Sequence, residues 1–382
     1  MKKVFSMILV YIMVLGLAAC GNTTGTAGGG NTEEASAGGG NTEEASAGNS
    51  VSESSADDET PAAQGEDPSE PETVVVTGRD SAGEAIEVTV PYKPERVVVL
   101  DLANLDILDN LGLGGCIVGV PTITLPYLQS YNDGLPIMGS VKTPDLEVVM
   151  TCEPDLILMG GRMAEYMDSL GEIAPVLRLT TVSDDGLIEA IRANAKTIGT
   201  IFGETEQVDE LLAQYDARIA SLAEFAEGKT CVLGMSTSGS FNLLGNDGRC
   251  SLIVNEIGFD NIGVEAASTS SGRSGGHGSS EDSSESTGST PTHGNEVSFE
   301  AIVSLNPEYI FVMDRDSAIS ATGAQLAQEI MENELIMMTD AYKNGNLVIL
   351  ENPGIWYLAE GGITSLGIML SDLESALGVA AQ

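Results

Sequence analysis

Few residues of this 382-residue chain have types and spacings that could support chemistry. Only two His are present, His277 and His293, so a bare zinc or manganese site built from several His and carboxylates is not expected. The sequence has no G-x-S-x-G nucleophile elbow, no H-E-x-x-H helix and no phosphate-binding P-loop. These features argue against an enzyme, and a surface enzyme remains a distant alternative.

Cys20 has the clearest chemical role, because it follows an export signal. Two Lys precede an apolar run over 4–19, which is too short for the roughly 20 residues that span a bilayer. Cleavage before Cys20 would leave its thiol free to carry a diacylglycerol. We therefore expect a lipoprotein signal peptide over 1–19 and a lipid anchor at Cys20. An ordinary secretory signal with a chance Cys is the alternative.

Residues 20–72 have the composition of a solvated tether. From residue 21 this segment carries twelve Asp or Glu, no Lys or Arg and no aromatic residue, and it repeats GGGNTEEASA at 28–37 and 38–47. Such a segment cannot build a hydrophobic core. Charge repulsion would extend it and hold a folded domain away from the membrane.

The rest of the chain, 73–382, is long enough for two lobes. A net charge of −41 argues against nucleic acid as a partner. Four further cysteines have spacings that match no zinc pattern, and both disulfides and buried free thiols are compatible with them: Cys116, Cys152, Cys231 and Cys250.

Hydrophobic patterning predicts an α/β fold with central β-sheets flanked by helices. Apolar, β-branched runs typical of buried strands alternate with helical patterns. These runs lie at 97–100, 117–120, 156–159, 231–235, 310–312 and 347–350.

An internal echo indicates that the two lobes are built alike. LEVV at 146–149 leads to PDLILM at 154–159, and FEAI at 299–302 leads to PEYIFV at 307–312. Each copy reads as a short helix with an exposed Glu, a Pro that ends it and a buried strand. Two copies imply two similar lobes.

One long helix is expected to join the lobes. Apolar residues recur at spacings of three and four between Val208 and Leu222, which gives one stripe on a helix of roughly six turns. We place an N-terminal lobe at 73–200, the connecting helix at 201–227 and a C-terminal lobe at 228–382. Residues 266–292, of which 15 are Ser or Gly, form a predicted disordered insertion in the second lobe.

Several segments together resemble the helical-backbone class of ABC-importer binding proteins, known as class III. Within it they are similar to the group that binds iron–catecholate siderophores of the petrobactin and enterochelin type. The segments are PERVVVLDLANLDILDNLGL, PDLILMGGRMAEYMDSLGEIAPVL, NPEYIFVMDRD and WYLAEGGITSL. The resemblance covers about 80–382 and implies a two-lobed fold around a ligand cleft.

The resemblance also implies a set of site residues. Arg162, Arg249 and Arg315 match three arginines that line the cleft around an anionic ferric complex, and His293 and Tyr357 match a pair that completes iron coordination. Guanidinium groups suit anionic oxygens, and a phenolate is a hard donor for iron(III). Without the resemblance, the arginines would read as surface ion pairs and Tyr357 as a packed aromatic.

Partners follow from the same resemblance. Glu147 and Glu300 occupy the echoed position that docks on the permease in this class, although a Glu in a first helical turn also favours the helix dipole. We therefore expect a monomeric lipoprotein on the extracytoplasmic face of the plasma membrane. It would have no intrinsic cofactor and would deliver an Fe(III)-siderophore to an ABC permease and its ATPase. Alternative cargoes are haem, a cobalamin or a hydroxamate siderophore, and an adhesin is a distant alternative.

Overall fold

In this computed structural model the described residues form two large β-sheets, one in each half of the chain, and a separate two-stranded hairpin. The structure describes residues 70–181, 186–269, 294–323 and 325–380. The predicted signal peptide, Cys20 and almost all of the predicted tether lie outside these ranges. The strands are β1 (Thr73–Arg79), β2 (Ala85–Pro91), β3 (Val97–Val99), β4 (Ile117–Gly119), β5 (Leu156–Met159), β6 (Val176–Arg178), β7 (Thr230–Thr237), β8 (Ser240–Leu243), β9 (Asp260–Asn261), β10 (Asn295–Glu296), β11 (Tyr309–Asp314) and β12 (Leu347–Ile349).

Helices cover and connect the sheets, and some of them begin at a residue whose side chain caps the helix. Asp101 caps the first helix by accepting hydrogen bonds from the amides of Ala103 and Asn104 at 3.0 and 3.1 Å. The helices are α1 (Leu102–Asn110), α2 (Leu146–Thr151), α3 (Met167–Gly171), α4 (Leu187–Phe202), α5 (Thr205–Ala213), α6 (Asp216–Ala226), α7 (Val264–Thr269), α8 (Phe299–Leu305), α9 (Arg315–Ala318), α10 (Ala327–Met331), α11 (Asp340–Lys343), α12 (Pro353–Leu358) and α13 (Ile363–Leu377).

The N-terminal sheet has the strand order β4-β3-β5-β6, and all of its neighbours pair in parallel. The C-terminal sheet has the order β10-β8-β7-β11-β12, with β7, β11 and β12 parallel and β8 antiparallel. All six predicted apolar runs are strands, and the predicted α/β class is confirmed. The hairpin β1–β2 carries no long apolar run, and the sequence reading did not identify it.

The echoed segments fold alike in both lobes. Each forms a helix followed by a strand, α2 with β5 and α8 with β11. In both copies the residue before Pro is left-handed, Glu153 with φ 43° and Asn306 with φ 44°. The predicted helix–Pro–strand unit is therefore present twice, and the likeness extends to the backbone conformation that ends each helix.

The predicted connecting helix is interrupted and starts later than expected. Residues 201 and 202 belong to α4, which ends at Gly203 with φ 80°. A turn at Gln214 and Tyr215 then separates α5 from α6. Both turn residues keep right-handed helical angles, so the apolar stripe continues across the turn and Val208, Leu212 and Leu222 are all buried.

The predicted insertion and the four cysteines can also be compared with the structure. Helix α7 extends to residue 269, so the first residues of the predicted insertion 266–292 are helical, and Ala267 is buried. The insertion beyond residue 269 lies outside the described ranges. Cys116, Cys152, Cys231 and Cys250 are free thiols. Every helix in the described part of the chain is too short or too polar to cross a membrane.

Candidate ligand-binding site

The three predicted arginines lie where chain segments leave the two sheets. Arg162 follows β5 in a 3₁₀ segment over Gly161–Tyr166, and Arg315 begins α9 directly after β11. Arg249 lies in the segment that follows β8. Because β5 and β11 are central parallel strands, their carboxyl ends are the expected place for a ligand site in such sheets.

All three arginines converge on Tyr357, which lies in α12. Arg249 Nη1 donates a hydrogen bond to the Tyr357 carbonyl oxygen at 2.7 Å, and Arg162 Nη2 donates to the same oxygen. Arg315 Nε donates to the Tyr357 hydroxyl oxygen at 3.2 Å. One residue therefore joins an arginine of the N-terminal lobe to two arginines of the C-terminal half.

The Tyr357 ring adds a second kind of contact. The guanidinium carbons of Arg249, Arg162 and Arg315 lie 4.0, 5.5 and 5.7 Å from the ring centroid, within cation–π range. The Tyr357 side chain is buried, at 2% exposure. The arginines thus surround this ring, and four of the five predicted ligand residues form one cluster.

Three carboxylates balance the arginines, and none of the three was predicted from the sequence. Glu360 Oε1 lies 3.9 Å from Arg249 Nη1, and Asp316 Oδ1 lies 3.2 Å from Arg315 Nη1. Asp101, the α1 cap, attracts Arg162 electrostatically. These carboxylates lie in or next to segments that carry the family resemblance, LDLANLD, MDRDS and WYLAEGG. Acidic residues close to the predicted ligand residues were therefore the sequence feature that could have identified them.

Burial shifts the ionisation of this cluster. Removal from water raises the pKa of Glu360 and of Asp101, although the neighbouring arginines pull in the opposite direction. Removal from water, together with the charge of Arg249, lowers the pKa of Arg162. The charges are therefore held partly desolvated, where electrostatic interactions with a ligand are stronger than in water.

Gly160 is required by the close packing around Asp101. A Cβ atom at Gly160 would lie 2.1 Å from Asp101 Oδ2. The segment GGR therefore brings the backbone against the α1 cap, and Arg162 follows two residues later. This explains locally why glycine occupies position 160.

The remaining predicted site residues are not part of the cluster. His293 lies outside the described residues, as does His277. Glu147 and Glu300 are exposed and lie in the first turns of α2 and α8, the equivalent helices of the two lobes. Their exposed position in the first turns of equivalent helices agrees with the sequence expectation.

A hollow with a volume of about 520 Å³ lies on the C-terminal lobe, and none of the three clustered arginines lines it. Its lining includes the carboxylates Asp314, Glu351 and Asp372. Asp314 caps α9, and Asp372 accepts hydrogen bonds from Asn352 and Trp356. None of the described residues that line this hollow is cationic, so an anionic ligand fits the arginine cluster better.

Comparison with known proteins supports one family. Residues 97–353 match the family model described as periplasmic binding protein. The petrobactin-binding protein YclQ of Bacillus subtilis is 31% identical over 328 residues, covering 85% of this chain and 94% of YclQ. The ferric-anguibactin-binding protein FatB of Vibrio anguillarum is 27% identical, covering 75% of this chain and 84% of FatB.

Solved structures give the same picture. The crystal structure of YclQ superposes with a TM-score of 0.68 at 30% identity, covering 80% of this chain and 100% of that one. The periplasmic catecholate-siderophore binding protein VctP of Vibrio cholerae gives a TM-score of 0.65 at 29% identity, covering 79% of this chain and 100% of VctP. On its matched residues, which include all three clustered arginines, the chain belongs to the periplasmic binding protein family.

Proposed function

We propose that this protein is the lipid-anchored substrate-binding component of an ABC importer and that it captures a ferric siderophore of the catecholate type. The observation that carries the proposal is the convergence of Arg162, Arg249 and Arg315 on Tyr357. The protein has 16 basic residues against 57 acidic ones, so three arginines that converge on one residue are an unusual local concentration of cationic hydrogen-bond donors.

The chemistry of this cluster suits an anionic iron complex. Guanidinium groups stay protonated and donate paired hydrogen bonds to anionic oxygens, which catecholates and hydroxycarboxylates supply. The donors that now bond to the Tyr357 carbonyl and hydroxyl would turn to such oxygens. The names of YclQ and VctP, a petrobactin-binding and a catecholate-siderophore binding protein, support this class of cargo.

Tyr357 and His293 are proposed to complete the coordination of the iron in the cargo. A phenolate is a hard anionic donor for iron(III), and an imidazole fills a remaining position. A bis-catecholate leaves two iron positions open, whereas a tris-catecholate leaves none. The Tyr357 hydroxyl group already lies beside Arg315, where the negative charge of a ligand would be drawn.

Delivery is proposed to use the two exposed glutamates and the membrane anchor. Glu147 and Glu300 lie on equivalent helices of the two lobes, so each could meet a basic pocket of the permease. Lipid on Cys20 would hold the protein at the extracytoplasmic face of the plasma membrane, with 20–72 as the tether. The protein would bind and release its cargo without chemical change, as a monomer.

Ligand titration tests the proposal directly. The single tryptophan, Trp356, is fully buried next to Tyr357, so its fluorescence should report a bound iron complex. Protein without its signal peptide is titrated with Fe(III) complexes of bis- and tris-catecholates, with haem, with cobalamin and with a ferric hydroxamate. Variants Arg249→Ala and the pair His293→Ala with Tyr357→Phe are compared with the wild type.

Tight quenching by a catecholate complex that is weakened at least roughly tenfold in Arg249→Ala would establish arginine recognition. A changed charge-transfer band in the double variant would establish ligation by the protein. Selective binding of haem, cobalamin or the hydroxamate would identify that compound as the cargo in place of a ferric catecholate. Binding of no iron complex would refute the proposal.

A further inference from the structure

The arginine cluster is charge-compensated in this structure. Arg315 is paired with Asp316, and Arg249 with Glu360, while Asp101 and Glu360 both attract Arg162. Three carboxylates thus face three guanidinium groups, and with all six groups ionised their charges sum to zero. An incoming anion would therefore meet a much weaker field than three unpaired arginines would create.

Glu360 differs from the other two carboxylates in its partners. Asp101 caps α1, and Asp316 accepts a hydrogen bond from the Ser238 amide at 2.6 Å, so both hold local backbone in place. Glu360 is attracted by Arg249 and Arg162, and the backbone amide of Cys250 also favours its charged form. Its interactions are therefore centred on the arginine pair that shares the Tyr357 carbonyl oxygen.

Glu360 is also held close to the place where a ligand would bind. Its side chain is 18% exposed and that of Arg249 is 11% exposed, so the pair is largely shielded from water. Glu360 follows Tyr357 by three residues, just beyond the end of α12. A carboxylate in this position repels every negative charge that the arginines attract.

We propose that Glu360 is a specificity-determining residue, whose carboxylate offsets the charges of Arg162 and Arg249 and makes the site favour ferric complexes of low negative charge over those of high negative charge. This inference rests on the proposed function and deepens it. It assigns a preference to the same site, namely for weakly anionic complexes such as those that leave iron positions open.

The size of the effect follows from electrostatics. At a separation of about 10 Å and an effective dielectric constant of about 20, one repulsive charge pair weakens binding by roughly tenfold. Removal of the Glu360 charge should therefore favour a triply anionic complex more than a singly anionic one. After screening by salt, the ratio of the two dissociation constants should still shift by roughly tenfold or more.

The test compares two probes made from the same catechol unit, a singly anionic Fe(III) bis-catecholate and a triply anionic Fe(III) tris-catecholate. Both are titrated at one fixed ionic strength by quenching of Trp356. The variant is Glu360→Gln, which keeps the shape of the side chain. A matched control is Glu87→Gln, which removes the same charge from an exposed position on β2. Glu360→Asp keeps the charge and shortens the side chain.

In Glu360→Gln we expect the preference to move toward the tris-catecholate by roughly tenfold, whereas Glu87→Gln and Glu360→Asp keep the wild-type ratio within about twofold. Iron ligation by the protein is common to all variants and cancels from this comparison. An unchanged ratio in Glu360→Gln, or an equal shift in Glu360→Asp, would overturn the charge role. Failure of the wild type to bind either probe would instead refute the proposed function and, with it, this inference.

Discussion

Tyr357 contributes three different groups to the site, and each engages arginine in a different way. Its carbonyl oxygen accepts from Arg249 and Arg162, its hydroxyl oxygen accepts from Arg315, and its ring lies within cation–π range of all three. Substitutions at this residue can therefore separate cargo chemistry from the architecture of the cluster.

Tyr357→Phe removes the hydroxyl group and leaves the ring and the carbonyl oxygen in place. We expect the free energy of unfolding to fall by about 1 kcal/mol, because one side-chain hydrogen bond is lost. The bound ferric catecholate should lose the part of its charge-transfer absorption that comes from a phenolate ligand. Urea denaturation and visible spectroscopy measure the two effects, and an unchanged spectrum would show that Tyr357 does not bind the iron.

Glu360 predicts a pH dependence of stability. Burial raises its pKa above the ordinary value of 4.5, so the folded state binds the proton more tightly than the unfolded state does. Its contribution to stability is therefore full below pH 4.5 and is lost as the pH rises through the higher folded-state pKa.

Glu360→Gln resembles the neutral form at every pH. The difference in unfolding free energy between Glu360→Gln and the wild type should therefore shift in favour of the variant as the pH rises from about 4.5. Urea denaturation over a pH series, with Glu87→Gln as the reference variant, measures this difference. A difference that stays constant with pH would mean that Glu360 is not shifted upward.

The sequence predicted the residues that a family motif carries but not their mutual contacts. Arg162 and Tyr357 were identified by resemblance, yet they lie 195 residues apart in the chain and meet only through the fold. Glu360 stood in the quoted segment WYLAEGG and received no role. A half-buried ion pair between distant segments, such as Arg249 with Glu360, has no periodicity, so composition and spacing cannot reveal it.

At the scale of elements, α1 and α13 are tied together at one residue. Asp106, in α1, is buried and accepts hydrogen bonds from the amides of Thr364 and Ser365 at the start of α13, both at 2.9 Å. It also accepts from the Tyr127 hydroxyl group at 2.7 Å. The last long helix of the chain is thereby capped by a residue of the N-terminal lobe.

Asp106→Ala should destabilise the protein by about 2–4 kcal/mol, because it leaves two helix amides and one hydroxyl group without their partner. Asp109→Ala, on the same helix, removes one exposed hydrogen bond with Tyr131 and should cost less than about 1 kcal/mol. Urea denaturation of both variants tests this. Equal losses would show that the link from α1 to α13 carries no special stability.

Elements were more predictable than contacts, for a physical reason. Strands such as β5 and β11 are nearly continuous apolar runs in the sequence, and nearly all of their residues are buried in the structure. The turn at Gln214 and Tyr215 was missed because both residues keep helical angles, so the apolar spacing runs through the interruption. Short antiparallel strands such as β10 have no run to detect.

At the scale of the whole molecule, the charge distribution opposes its proposed cargo. The chain has a net charge of −41, whereas the arginine cluster is compensated by its own carboxylates. An anionic complex approaching from solution therefore meets repulsion first. The Debye length shortens from about 30 Å at 0.01 M salt to about 8 Å at 0.15 M, so salt screens this long-range repulsion.

We therefore expect the association rate constant of an anionic ferric catecholate to rise with salt over this range, contrary to ordinary electrostatic steering. Stopped-flow quenching of Trp356 measures the rate. Deletion of the duplicated decapeptides at 28–47 removes four Glu and should weaken the salt dependence. A rate constant that falls with salt would show that the local field of the arginines governs the approach.

The acceptor that Arg162 and Arg249 share is a main-chain oxygen, and this has an evolutionary consequence. A single codon change at position 357 would alter the donor offered to a metal while the peptide carbonyl that holds the arginine pair is retained. Position 357 therefore supplies both the acceptor for the arginine pair and the proposed metal ligand, but only the metal ligand depends on the identity of the side chain. A point mutation at this position could therefore change which iron complex is preferred, while the main-chain oxygen that positions the arginine pair stays in place.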